Sequence, residues 1–216
     1  MTWDPDEYSA SIREWIHDYD DLQEQVAKAT TGIKAQTILD LGVGAGETAK
    51  RVLEIHPEAR LIGVDSSPEM LRGAADALPK GRVTLVHHEL SAPVPDNTFD
   101  LVISALALHH LEGRDKAKLF LDIALHLRPG GRFVMGDVVI PDDPADALIE
   151  NEAGYDFPST IEDQLKWMAE AGFSAEVIWV CKRSCRLEGK LTHQLEPSSK
   201  VASTSPKVTA LLGAKP

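Results

Sequence analysis

The sequence is short of the features that mark secreted, membrane-spanning and metal-stabilised proteins. Its 216 residues include two cysteines, Cys181 and Cys185, and a lone C-x-x-x-C pair is neither a disulfide framework nor a zinc site. The most apolar stretch, residues 101–111, is too short to span a bilayer. The first ten residues show neither the basic nor the apolar region of a secretory signal. We therefore expect a cytoplasmic protein with no membrane partner.

Positive charge is also scarce. Lys and Arg number 22 against 34 Asp and Glu, which gives a formal net charge of -12. Affinity for nucleic acid comes from clustered Lys and Arg, and the chain has no such run, so we expect no nucleic-acid partner. Hydrophobic residues make up 43% and charged residues 26%. These values and the length are typical of one globular domain with its own core.

Segments typical of strands and helices alternate along the middle of the chain. Short apolar segments predict strands at residues 37–41, 60–65, 82–87, 99–105, 132–138 and 175–180. Helical spacing is found before them, at residues 8–29, and between most of them. This alternation predicts an α/β fold with a Rossmann-like, mostly parallel sheet of six or seven strands and helices on both faces. Such sheets bind ligands beyond the C-terminal ends of their strands.

A glycine-rich loop follows the first predicted strand and opens a helix. It runs from Asp40 to Gly46 with the sequence Asp-Leu-Gly-Val-Gly-Ala-Gly. Glycines allow a tight turn, and a helix start offers unpaired N–H donors to a ligand. A dinucleotide fingerprint needs a third glycine where this chain has Glu47, which disfavours an NAD-dependent oxidoreductase. We expect Asp40 both to brace the loop through backbone N–H groups and to contact the ligand.

Two further acids follow the second and third predicted strands. Asp65 lies 25 residues after Asp40, where an acid can accept both hydroxyls of a ribose. Glu89 is placed to accept the exocyclic amine of an adenine, and Leu90 offers a neighbouring backbone N–H. Together with the glycine loop, these acids indicate a nucleoside ligand.

Over residues 8–183 these motifs resemble the class I S-adenosylmethionine-dependent methyltransferases. The resemblance implies that S-adenosylmethionine is the cofactor. The segment around Tyr19 is similar to the branch that includes carboxy-S-adenosylmethionine synthase, in which a tyrosine at this position reaches the cofactor. The cofactor-binding residues that the resemblance implies are Tyr19, Asp40, Gly42, Gly44, Gly46, Asp65, Ser66, Glu89, Leu90 and Ser104.

The resemblance also implies a division of the chain. Residues 1–36 are expected to form an N-terminal helical cap, and residues 37–183 the S-adenosylmethionine-binding domain. Residues 184–216 are rich in Ser, Thr, Pro and Lys and are predicted to be disordered. Residues 183–190 can be encoded by codons that, in a reading frame shifted by one base, encode Asp-Leu-Ala-Val. That sequence resembles the final strand of the family. We hypothesise that a frameshift produced this tail, removed the last strand and left a sheet edge unpaired.

Two pairs of histidines are candidates for chemistry. Methyl transfer depends mostly on alignment, and a base is needed only where the acceptor must lose a proton. His109 and His110 follow the fourth strand and are the visible candidates, with capping or packing as the alternative role. His87 and His88 end a strand, where alternation sends them to opposite faces. No metal site is predicted.

The resemblance implies a methyltransferase that acts on a small-molecule acceptor, and it leaves the acceptor, the methylated atom and the oligomeric state open. One alternative is a carboxy-S-adenosylmethionine synthase-like enzyme. Another is a non-catalytic partner subunit that keeps the methyltransferase fold. The segment at residues 138–158 is rich in acids, and as a hypothesis it favours a neutral or cationic acceptor. A solvated acidic loop is the alternative for that segment.

Overall fold

A computed structural model describes residues 11–14, 16, 18–141, 154–180 and 208–214 of the chain, the last of these as backbone only. Its helices are α1 Tyr19–Ala29, α2 Glu47–Ile55, α3 Pro68–Ala77, α4 Gly113–His126 and α5 Ile161–Glu170. Its strands are β1 Thr37–Leu41, β2 Arg60–Asp65, β3 Val83–His87, β4 Phe99–Ala105, β5 Leu127–Ile140, β6 Ser159–Thr160, β7 Ser174–Val180 and β8 Val208–Ala214. A 3-10 turn, Leu108–His110, follows β4.

The strands form one mostly parallel sheet in the order β3-β2-β1-β4-β5-β8-β7, with β6 paired to β5. β1 pairs in parallel with both β2 and β4. From β1 the chain adds β2 and β3 towards one edge of the sheet, and it then returns to add β4 and β5 on the other side of β1. The topological switch point therefore lies between β1 and β4, where such sheets bind ligands. The predicted fold class is confirmed.

Apolar side chains of the central strands fill a core on each face of the sheet. Ile38 packs in the cluster that includes α1 and α2, whereas its neighbour Leu39 packs in the cluster that includes α4 and α5. Successive strand residues point to opposite faces, so a strand covered on both sides needs apolar residues throughout. The continuous apolar segments in the sequence have this cause. Among the described residues, no helix is long and apolar enough to cross a membrane.

Helix α1 packs closely on the sheet and forms one wall of the cavity described below. Its residues Leu22 and Val26 are fully buried. A Cβ at Gly136 of β5 would lie 2.5 Å from Leu22 and 2.7 Å from Val26. The absent side chain at Gly136 lets the helix approach the strand, which brings the first residue of α1, Tyr19, to the end of the sheet.

The expectation that the final strand is missing is wrong. Val208–Ala214 forms β8, which pairs antiparallel with β5 from Val138↔Val208 to Arg132↔Ala214 and also pairs with β7. The sequence prediction averaged composition over the whole tail and so missed seven uncharged residues, Val-Thr-Ala-Leu-Leu-Gly-Ala. β5 therefore has no unpaired edge. Residues 181–207, which include those behind the frameshift hypothesis, lie outside the described residues, as do residues 142–153 of the acidic segment.

Candidate active site

The loop between β1 and α2 is shaped by three glycines in the left-handed region. Gly42, Gly44 and Gly46 have φ of 76°, 52° and 93°. A Cβ at Gly42 would collide with the Cβ of Ala107, whereas one at Gly44 would meet nothing within 4 Å. Gly42 therefore serves close packing of the loop against the segment after β4. Gly44 keeps the loop backbone open towards the space above it.

Asp65 at the end of β2 holds this loop in place. Its Oδ2 accepts the Gly44 N–H at 2.8 Å, and its Oδ1 accepts the Ser67 N–H at 2.9 Å. An ionised carboxylate has about four acceptor positions, so both oxygens still have capacity for a ligand. The expectation that Asp40 braces the loop through N–H groups is wrong, because Asp65 provides that brace.

Asp40 lies beneath the loop and is 1% exposed. Neither of its carboxylate oxygens has a hydrogen-bond partner among the described residues. Burial, and secondarily the negative charge of Asp65, raise the pKa of Asp40 to about 8. A buried polar group without a partner is costly. A hydrogen-bond donor from a ligand, a water molecule or a rearranged loop would satisfy this carboxyl.

A cavity of about 290 Å³ lies above the loop at the C-terminal ends of β1, β2 and β4. Six of the ten predicted cofactor-binding residues line it: Tyr19, Gly42, Gly44, Asp65, Ser66 and Leu90. Its remaining lining residues are Gln23, Val43, Ala45, Glu47, Thr48, Ser67, Pro68, Glu69, Met70, Ala105, Leu106, Ala107, His110 and Tyr155.

The other four predicted residues lie outside this lining. Ser104 is buried in β4 and donates its hydroxyl to the Leu41 carbonyl at 2.7 Å, while Asp40 lies under the loop. A Cβ at Gly46 would approach the Leu78 side chain to 2.9 Å. Glu89 is exposed next to the lining residue Leu90. Their contact with a cofactor stays a prediction.

Tyr19 forms the wall of the cavity contributed by α1. The ring is 5% exposed, and the Arg13 guanidinium lies 4.9 Å from its centroid. Burial first, and then the charge of Glu47, raise the pKa of Tyr19 to about 12, so the phenol keeps its proton at neutral pH. Beside it, the Thr48 hydroxyl donates to Gln23 Oε1. No feature of the sequence singles out this buried pair.

His110 lines another part of the cavity, and His109 precedes it in the turn after β4. His109 Nδ1 is 2.5 Å from Asp137 Oδ1, so the ring N–H donates to that carboxylate. His110 Nδ1 is 3.1 Å from Asp156 Oδ1. Burial lowers the pKa of His109, but the charge and hydrogen bond of Asp137 outweigh it and the pKa is raised. Burial and the neighbouring His109 lower the pKa of His110.

Asp137 is a site residue that the sequence reading missed. It is 2% exposed and lies within β5, in the run Phe-Val-Met-Gly-Asp-Val-Val. An acid inside an otherwise apolar strand was the available signal, because a buried charge requires a partner. Its hydrogen bond to His109 makes a turn histidine part of a fixed network.

The segment that carries Tyr155 and Asp156 is tied to the histidine turn. The Phe157 N–H donates to the His109 carbonyl at 2.6 Å. Lys116 of α4 is 1% exposed, and its Nζ donates to the Phe157 carbonyl and, at 2.8 Å, to Ser159 Oγ. Burial lowers the pKa of Lys116. These bonds hold the segment over the end of the cavity.

Comparison with known proteins agrees with this geometry. Residues 38–131 match the family model described as a methyltransferase domain. Residues 38–131 therefore resemble a methyltransferase domain. Over 153 residues the chain is 34% identical to trans-aconitate 2-methyltransferase of Azoarcus sp. (strain BH72), and the aligned region covers 71% of this chain and 57% of that protein. Over 152 residues the chain is 36% identical to arsenite methyltransferase of Halobacterium salinarum, and the aligned region covers 65% of this chain and 38% of that protein.

Solved structures support the fold of this methyltransferase domain. An S-adenosylmethionine-dependent methyltransferase from Mesorhizobium loti superposes with a TM-score of 0.65 at 22% identity, covering 89% of this chain and 96% of that one. The chain thus spans less than two thirds of the length of the two curated relatives named above and nearly all of this solved structure. These comparisons do not favour the carboxy-S-adenosylmethionine synthase alternative.

The residues present fit S-adenosylmethionine as the cofactor. The Gly44 position opens onto free space, so a ligand can approach the loop backbone closely. Asp65 stands at the end of β2 with unused acceptor capacity, as a ribose requires. The buried Asp40 carboxyl, which lacks a partner among the described residues, can be satisfied by a donor reaching the loop from the cavity.

Proposed function

We propose that the chain transfers a methyl group from S-adenosylmethionine to a small-molecule acceptor in this cavity. One observation carries the proposal: the glycine loop, Asp65 and the histidine turn all face a single cavity at the switch point of the sheet. One part of the cavity has backbone and a carboxylate suited to a nucleoside. Another part has imidazole and phenol groups suited to a polar acceptor.

We assign different lining residues to different parts of the cofactor. Asp65 is assigned to the ribose hydroxyls, and the Gly42 to Gly44 backbone to the part of the ligand above the loop. Leu90 and its neighbour Glu89 are assigned to the base. Ser104 supports β1 from below through its hydrogen bond to the Leu41 carbonyl rather than through the lining.

Alignment is the main contribution that the protein makes to the reaction. Bound S-adenosylmethionine supplies an activated methyl group on a sulfonium. Correct placement of two reactants contributes on the order of 7–11 kcal/mol. Leu106, a non-glycine residue with φ of 53°, holds the segment after β4 against the cavity, and its N–H donates to the Gly136 carbonyl at 2.8 Å. A strained residue held in this way is typical of functional sites.

A small acceptor is supported by the relatives and by the charge of the chain. The two curated relatives are named for trans-aconitate and for arsenite, both of them small molecules. The formal net charge of -12 disfavours a nucleic-acid acceptor. A cavity of about 290 Å³ that carries both the loop and the histidine turn is compact. We therefore assign the part beside His110 and Tyr155 to the acceptor.

Native mass spectrometry with S-adenosylhomocysteine tests this proposal. We expect the full chain to bind one molecule. Asp65→Asn should weaken binding about 10- to 100-fold, since it removes a charged acceptor. Asp76→Asn, an exposed acid on α3, is the matched control and should bind like the parent. A folded chain that binds no S-adenosylhomocysteine would overturn the proposal.

A further inference from the structure

We infer that His109, His110 and Asp156 bind a divalent transition-metal ion at the edge of the cavity. Each residue offers one ligand atom, and the three atoms lie within 4.8 Å of one another. Asp156 Oδ1 is 3.1 Å from His110 Nδ1 and 3.9 Å from His109 Nε2. Ligand atoms of a tetrahedral Zn²⁺ site with bonds of about 2.0–2.1 Å are about 3.3 Å apart. Both distances to Asp156 are within about 0.6 Å of that value, and the two imidazole nitrogens, which are at most 4.8 Å apart, must come closer by no more than about 1.5 Å.

Asp137 gives His109 the environment of a metal ligand. It accepts the N–H of His109 Nδ1, which leaves the lone pair on Nε2, the nitrogen directed at Asp156. Ligating histidines almost always donate their other ring nitrogen to a carboxylate, carbonyl or water in this way. Asp137 and Asp156 together carry two negative charges, which match the charge of a divalent cation.

The third ligand is held in place by contacts outside the cluster. Asp156 precedes Phe157, whose N–H donates to the His109 carbonyl at 2.6 Å. Buried Lys116 bonds the Phe157 carbonyl and the Ser159 hydroxyl. The next element, β6, pairs with β5. The carboxylate is therefore fixed to the same turn that carries both histidines.

The donor set favours a transition metal over magnesium. Two imidazole nitrogens and one carboxylate oxygen suit Zn²⁺ and its neighbours, whereas Mg²⁺ prefers oxygen ligands and octahedral geometry. Three protein ligands leave a coordination position open, as in catalytic zinc sites. His110 lines the cavity, so this position is reached from it. An oxygen atom of the acceptor is the group we expect there, a role that rests on the proposed function, whereas metal binding does not.

The test uses the untagged full chain after treatment with chelator. Calorimetric titration with ZnCl₂ should show one tight site per chain, confirmed by native mass spectrometry, and MgCl₂ should bind far more weakly. His110→Ala and Asp156→Asn should abolish the tight site. Asp137→Asn should weaken it about 10- to 100-fold through the loss of ligand orientation. His88→Ala, from the other tandem histidine pair, is the matched control and should leave Zn²⁺ binding unchanged.

S-adenosylhomocysteine binding is measured on the same parent sample, which separates this inference from the proposed function. A chain that binds S-adenosylhomocysteine but no stoichiometric Zn²⁺ would overturn the metal site and leave the methyltransferase proposal standing. Unchanged Zn²⁺ affinity in folded His110→Ala and Asp156→Asn variants would also overturn it, because the ion would then bind elsewhere. In either case the cluster is a hydrogen-bonded network without a metal.

Discussion

The two functional parts of the cavity are built in different ways. The part that we assign to the cofactor is built around one short loop, with backbone conformations fixed by Gly42, Gly44 and Gly46 and tied to the neighbouring strand by Asp65. The histidine part is assembled from side chains of β5, α4, the turn after β4 and the segment at residues 154–160. Backbone geometry thus governs one part, and tertiary contacts between distant segments govern the other. Substitutions should therefore act differently in the two parts.

The largest effect is expected from Gly42→Ala. The new methyl would collide with Ala107 while the residue holds a φ of 76°, so overpacking and strain add. We expect a loss of about 2–5 kcal/mol in the free energy of unfolding, measured by denaturant titration. Gly32→Ala is the control, with a φ of 83° and nothing within 4 Å; it carries the strain alone and should cost about 1 kcal/mol. Equal losses in the two variants would contradict the packing role of Gly42.

Asp40→Asn should stabilise the unliganded chain by on the order of 2 kcal/mol at pH 7, because the buried carboxyl must take up a proton when the chain folds, whereas an amide is neutral without one. The pKa of Asp40 in the folded chain, about 8, lies above its ordinary value of 3.8. The folded chain therefore retains a proton that the unfolded chain releases. This contribution favours folding most below about pH 4 and is lost as the pH rises to 8.

Unfolding of both proteins between pH 5 and 8 tests this sign. The parent should lose stability from this group as the pH rises, and Asp40→Asn should lose less. Asp100→Asn is the opposing control, since Asp100 accepts the N–H groups of Gln36 and Thr37 and pairs with Arg128. That variant should be less stable than the parent. A destabilised Asp40→Asn chain would show that the carboxylate is satisfied in solution.

The smallest effect is expected from Tyr19→Phe. The high pKa of Tyr19, about 12, keeps the hydroxyl protonated, and one neutral hydrogen bond contributes about 0.5–1.5 kcal/mol. S-adenosylhomocysteine affinity should fall about 2- to 10-fold. Tyr155→Phe, beside His110 with ring centroids 4.4 Å apart, should leave that affinity unchanged. An equal fall in S-adenosylhomocysteine affinity for the Tyr155→Phe variant would contradict the assignment of Tyr19 and Tyr155 to different parts of the cavity.

Local features were predictable from the sequence. The strands of the parallel sheet follow from apolar runs, and the glycine loop and Asp65 follow from their positions at strand ends. Residues whose role depends on distant partners were not predictable in the same way. Asp137 acts through a histidine 28 positions earlier, and Asp65 rather than Asp40 braces the loop because of how β2 ends beside it. The hydrophobic periodicity of a sequence does not indicate contacts between residues that are far apart in the chain.

The place of β8 also bears on the order in which the chain can fold during synthesis. The five strands from β1 to β5 are complete once residue 140 has been made, and their neighbours along the sheet are mutually paired. β7 is made after β6 and α5 and joins the sheet through β8, whose last residue is Ala214. A ribosome adds about 5–20 residues per second. β7 is therefore synthesised before β8, the strand with which it pairs. We expect β7 to reach its final pairing only after Ala214, the last residue of β8, has left the exit tunnel.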